Sequence, residues 1–136
     1  MRFMYIVTSP TPAQGPTPAL MEAMGKLADR EIKAGRMIDS GGLLPVSMQG
    51  AQVKITDGKI NVIDGPFVEA KELIGGYAIF ELRDKEEALA AAREFMQLHV
   101  EHMPGWEGTC EVRAFATPGA DGACDVEAEA RARARA

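Results

Sequence analysis

The chain has 136 residues, 46% of them apolar and 26% charged, with a formal net charge of −5. That length and balance fit one soluble domain able to bury roughly 68% of the surface its unfolded form exposes. The acidic balance argues against a nucleic-acid partner held on a basic face, and no apolar run approaches the roughly 20 residues of a membrane span.

Residues 3–8 alternate Phe3, Tyr5 and Val7 with Met4 and Ile6. This is strand period with both faces apolar. The run is too short for a secretory signal, and Pro10 follows it closely, so it reads as the first strand of a cytoplasmic protein. Prolines and Gly15 make 9–18 a loop. Thr17 is placed to cap a helix with Pro18 at its first position. That helix is expected to run to about Lys33, with Leu20, Met24, Leu27 and Glu31 in one row and Met21, Met24, Ala28 and Ile32 in the next. Gly35 ends it.

A second strand is expected over 36–44, with a bulge or bend at Gly41-Gly42. Asp57-Gly58 sits between Val53, Ile55 and Ile60, Val62, Ile63, a hairpin signal with a type I′ turn. A further strand covers 77–82, entered through Gly75-Gly76, where glycine points to a bulge or a close approach. Asp84 and Glu87 form an approximate capping box for a second helix reaching about Met103, stopped by Pro104-Gly105. The last strand is expected over 109–115. Residues 117–136 change to Ala, Gly and charge. Their favourable i,i+4 pairs, Glu127 with Arg131 and Glu129 with Arg133, contribute only about 0.2–0.5 kcal/mol each. Residues 1–116 therefore read as the domain and 117–136 as a flexible Ala/Arg/Glu-rich tail.

The order strand–helix–strand, hairpin, strand–helix–strand is the α+β, ferredoxin-like split βαβ pattern with an inserted β-hairpin. Two helices cover one face of a four-stranded antiparallel sheet. The other face should then be polar, yet the first strand and the 77–82 strand are apolar on both sides. A homodimer through that sheet face is the simplest cover.

Between the hairpin and the 77–82 strand lies the run from Asp64 to Tyr77, where turn chemistry, charge and an apolar strand meet. Asp64-Gly65-Pro66-Phe67, followed by Glu69, Lys71, Glu72 and Gly76-Tyr77, resembles the signature of the DGPF-domain proteins, a group within the YCII-related superfamily. The likeness extends from about Arg2 to Phe115. It implies a dimeric α+β barrel, and company with extracytoplasmic-function sigma factors. Some members of the wider superfamily work through a His–Asp pair whose histidine lies early, on or before the first helix. Here that helix contains no histidine, so the pair does not carry over.

The candidate catalytic residues are therefore His99 and His102, in the last turn of the second helix, with Asp64. Histidine changes charge near neutral pH and serves general acid–base chemistry. A His–Asp pair requires the end of that helix to lie over the Asp64 turn. The structural alternatives are a helix-end imidazole bonding carbonyls and an aspartate bonding its own turn. Glu69, Lys71, Tyr77, Trp106 and Ser40 are candidate substrate-binding residues: Lys71 for an anion, the aromatics as pocket lining, Ser40 as an exposed hydroxyl. Against these stand a solvated charged loop and ordinary packing. His99-x-x-His102 offers two metal ligands without a third, so no metal is expected, and no cofactor. Cys110 and Cys124 make no disulfide framework, and Cys110 reads as buried and inert.

Two functional readings follow, beside a third in which the chain is a structural dimer whose Asp64 loop only builds the fold. One is a binding protein for a small molecule, or a regulator beside a sigma factor, with an apolar pocket free of convergent titratable groups. The other is a small-molecule acid–base enzyme, a hydrolase, lyase or isomerase, with Asp64, Lys71 and a histidine in one cleft.

Overall fold

The computed structural model describes residues 1–10, 15–67, 72–116 and 134. The tail expected at 117–136 lies, but for position 134, outside the described residues. So does the loop 68–71 that carries Glu69 and Lys71.

Period-two alternation at the N-terminus gives β1 (Arg2–Pro10), and the Thr17-Pro18 signal opens α1 (Pro18–Lys33). The Thr17 hydroxyl accepts from the Leu20 amide at 3.2 Å, and Gly35 takes φ +75° just past the end. β2 (Met37–Gly42) follows, then the hairpin β3 (Gln52–Thr56) and β4 (Lys59–Ile63). Asp57 and Gly58 at its tip have φ of +52° and +75°, the type I′ signs. β5 (Glu72–Glu81) starts five residues before the expected 77, α2 (Lys85–His102) is capped by the Asp84 side chain accepting from the Glu87 amide at 2.9 Å, and β6 (Thr109–Ala114) closes the domain.

Four strands form one antiparallel sheet in the order β2-β5-β1-β6, and β3-β4 stand apart as a two-stranded ribbon. The two strands read as apolar on both faces are the two central ones. Both helices lie over the face that carries Phe3, Tyr5 and Phe80, and these pack with Leu82, Ala88 and Ala92 into the core. The Tyr5 hydroxyl donates to the Ala88 carbonyl at 2.7 Å. At the junction of the helices the Thr17 hydroxyl also donates to the His102 carbonyl, at 2.8 Å.

Two local expectations change. The apolar stripe of α1 is narrower than its two rows imply: Met21 and Ile32 are exposed, because Leu20, Met24, Leu27, Ala28 and Glu31 alone turn toward the sheet. The bulge in β2 falls between Met37 and Asp39, not at Gly41-Gly42. Gly41 serves a different purpose. A Cβ there would lie 2.9 Å from the Tyr77 ring, which crosses it so that its phenol donates to Asp39 at 3.1 Å. The bulge expected beside Gly75-Gly76 is present, where β1 steps from Val7 opposite Gly76 to Thr8 opposite Ile74 and leaves Gly75 unpaired.

On the open sheet face Met4, Ile6, Tyr77 and Ile79 form a half-buried strip along the central strands. Its margins are polar, with Asp39 on β2 and the Glu111–Arg113 ion pair on β6. The ribbon shows Val53, Ile55, Ile60 and Val62 on one face, paired across the strands and 66–75% exposed.

Candidate functional site

Along the helix-covered face of the sheet the paired side chains shrink in one direction. Phe3 stands opposite Phe80, Tyr5 opposite Ala78, and Val7 opposite Gly76. On β2 the same row runs from Met37 through Ser40 to Gly42. The helices span the whole length, so the end with small residues is left unfilled. It forms a cavity of about 680 Å³ between α1, α2 and the sheet. Leu20, Met24 and Leu27 line it from α1, and Ala92, Phe95 and His99 from α2. Met103 and Trp106 close it beyond α2, while the exposed Ser40, Leu43 and Leu44 stand at its rim.

His99 is the imidazole in this wall, buried at 7% exposure. Its Nδ1 lies 3.1 Å from the Phe95 carbonyl oxygen one helical turn back. Its ring meets Phe95 edge-on at 4.8 Å and lies tilted against Trp106 at 4.5 Å between centroids. Gly108 permits this: a Cβ there would overlap the indole and lie 2.7 Å from the Thr8 carbonyl oxygen.

Glu31 is the charged member of the described wall and is 5% exposed. Its two carboxylate oxygens are taken by Arg30 and Arg36, and Arg30 also reaches Glu94 on α2. Burial by itself would raise its pKa. The hydrogen bonds from Arg36 and Arg30 outweigh that and hold the carboxyl below the ordinary glutamate range. Burial pushes the Tyr5 phenol well up, with Cys110, Glu31 and Glu87 adding to it, so Tyr5 stays protonated. Burial likewise pushes the Cys110 thiol up to about 11, which leaves it a poor nucleophile, in keeping with the inert reading.

The other candidates divide. Trp106 and Ser40 border the cavity. Tyr77 borders it too, but the strand register turns its ring to the opposite face, where the hydrogen bond to Asp39 raises its pKa. His102 is half-buried outside the described wall, with Nε2 3.8 Å from Glu101. Asp64 is exposed in the turn after β4, beside the cis Gly65–Pro66 bond, and is not part of the described wall. Among the described residues no three His, Cys, Asp or Glu side chains converge as metal ligands.

The family model of the YCII-related domain matches residues 1–97. The chain belongs to this YCII-related family. No curated protein matches it. The match is coarser than the DGPF grouping, and it stops inside α2. In this YCII-related protein the turn with His99, and Trp106 beyond it, lie past the matched stretch. The mixed α+β architecture, two helices with antiparallel sheets, is compatible with the ferredoxin-like fold read from the sequence.

Sequence reasoning did not select Glu31, Leu43, Leu44 or the methionines Met24, Met37 and Met103 as site residues. An apolar side chain facing a cavity has the same periodicity as one facing packed core. The signal that was available is the falling size of Phe3, Tyr5, Val7 against Phe80, Ala78, Gly76, legible once the register is known.

Proposed function

We propose that this YCII-related protein binds a small, mainly apolar molecule between its helices and its sheet. The observation that carries this is the cavity of about 680 Å³ with a mainly apolar wall and a buried imidazole. Ligand sites typically occupy about 300–1,000 Å³ and pair apolar lining with a few placed polar groups. A regulatory role beside a sigma factor would use the same site as a sensor, with occupancy as the signal.

Trp106 is the one tryptophan of the chain and borders the cavity, so its fluorescence reports occupancy. Titration with the neutral probe N-phenyl-1-naphthylamine is expected to quench it saturably at one probe per chain. The Ala91→Phe variant, which fills the wall from α2, is expected to abolish the response. A response that does not saturate, or that is unchanged in Ala91→Phe, would remove the ligand site.

The protein is proposed to work as a homodimer through the strip Met4, Ile6, Tyr77 and Ile79. Its apolar character on an open sheet face supports this. Light scattering at micromolar concentration should give twice the 14.6 kDa chain mass. A monomer mass, with Ile6→Lys leaving it unaltered, would end that part of the reading.

An acid–base enzyme is the second reading, favoured by one observation: His99 presents a buried imidazole at the wall of a mainly apolar cavity, within reach of a bound molecule. In that reading His99 acts without Asp64.

A further inference from the structure

We propose that the cavity selects a flat, neutral ligand carrying a phenol-type hydroxyl, and that His99 Nε2 accepts the hydrogen bond from that hydroxyl. The inference rests on the cavity being a ligand site and adds the chemical class of the ligand.

The first argument is the tautomer. A backbone carbonyl oxygen only accepts, so the 3.1 Å contact with Phe95 requires Nδ1 to carry the proton. In the neutral ring Nε2 is then left with its lone pair and no proton. The ring cannot turn to hide that nitrogen without losing the Nδ1 bond and its seat between Phe95 and Trp106. Among the described residues no fully buried side-chain nitrogen or oxygen lacks a partner, so Nε2 is open to solvent-accessible space, where a donor can reach it. A ligand hydroxyl supplies that donor.

Charge is the second argument. Glu31 is the charged residue in the described wall, and both its oxygens are already engaged by arginines. A carboxylate or phosphate on the ligand would meet no lysine or arginine among the described lining residues; it would face this carboxylate and the lone pair of His99, with neutral side-chain donors at Ser9, Ser40 and Trp106. A cationic ligand would find Glu31 occupied. Neutral donors remain.

Shape is the third. Phe95, edge-on to His99, and Trp106, tilted against it, set three aromatic rings side by side, and a planar ring can meet their edges and faces. Met24, Met37 and Met103 line the cavity with flexible side chains that conform to different outlines. Recognition then concentrates at one polar point on an adaptable apolar wall.

The test is a matched series titrated by calorimetry into the full chain: 4-phenylphenol, 4-methoxybiphenyl and biphenyl-4-carboxylate. The phenol is expected to bind about five- to ten-fold more tightly than its methyl ether, the size of one hydrogen bond made in place of one to water. The carboxylate is expected to bind most weakly. In His99→Leu the phenol and the ether should bind alike. Because that variant disturbs the packing of Phe95 and Trp106 around position 99, a second readout uses the unaltered site. The ¹⁵N resonance of His99 Nε2, distinguished from His102 with a His102→Gln sample, should move on adding the phenol and stay in place on adding the ether. Equal binding of phenol and ether, or preference for the carboxylate, overturns the donor assignment while leaving the cavity as a ligand site. If none of the three binds and N-phenyl-1-naphthylamine also fails, the site itself is lost.

Discussion

The two ends of the layer between helices and sheet are built from the same strands and the same helices, yet one is solid and the other hollow. At the solid end Phe3 faces Phe80, with Leu82 and Ala88 closing over them. At the hollow end Val7 faces Gly76, and α1 and α2 stand over a space of about 680 Å³. The difference lies in side-chain volume, together with the step in register at the hollow end that leaves Gly75 unpaired. The solid end supplies dispersion and burial, which let the chain carry an unfilled end without collapsing it. Close packing and open volume are thus separated along the axis of β1.

The sharpest way to break this comparison is Phe3→Ala. At the solid end it should cost about 3–5 kcal/mol, the usual range for a large aromatic in close packing. Equilibrium denaturation in urea measures it; a loss under about 1 kcal/mol would mean that this end is not the stabilising one. Glu31→Gln comes next. It removes charge-assisted bonds from Arg30 and Arg36 at the border of the two ends and should cost about 1–3 kcal/mol at neutral pH. The sign of its pH dependence is fixed. The carboxyl has a lower pKa folded than unfolded, so its contribution is complete above the ordinary glutamate range and is lost as pH falls through the folded value. Stability curves of the parent and Glu31→Gln should therefore converge on acidification below about pH 4. Curves that stay parallel to acid pH would deny the ion-pair role. The smallest effect is expected for Met24→Ala. Its side chain already faces open space, so the cost should stay under about 1.5 kcal/mol, below the range for methionine in a filled core, while affinity for the neutral probe falls. A loss as large as that of Phe3→Ala would show the hollow end to be structural.

The sequence yielded the order of elements because caps and turns are local. Thr17-Pro18, Asp84 with Glu87, and Asp57-Gly58 each act within a few residues, and each stands where its local chemistry places it. The ferredoxin-like arrangement followed from that order. The site was less legible. Trp106 and Ser40 border the cavity, and His99 does so by lying one face inward from His102, a distinction of about 60° on a helical wheel. On α2 the large Leu89 is exposed, whereas the small Ala88 is fully buried, so side-chain size alone does not mark the inward face. Asp64 drew attention through its turn signature. That signature reports backbone geometry, Gly65 at φ +106° beside it, and a turn can be specified by sequence without delivering its side chain to a pocket.

The β3–β4 ribbon has a bearing on how the protein behaves in a crowded solution. Four branched aliphatic side chains in register, on a strand pair whose outer edges are free of the main sheet, make a unit that invites edge-to-edge stacking. Lys54, Asp57 and Lys59 interrupt that unit within six positions of sequence. Their desolvation opposes fibrillar association, so these three charges act as gatekeepers of colloidal stability in a segment that contributes nothing to the cavity wall.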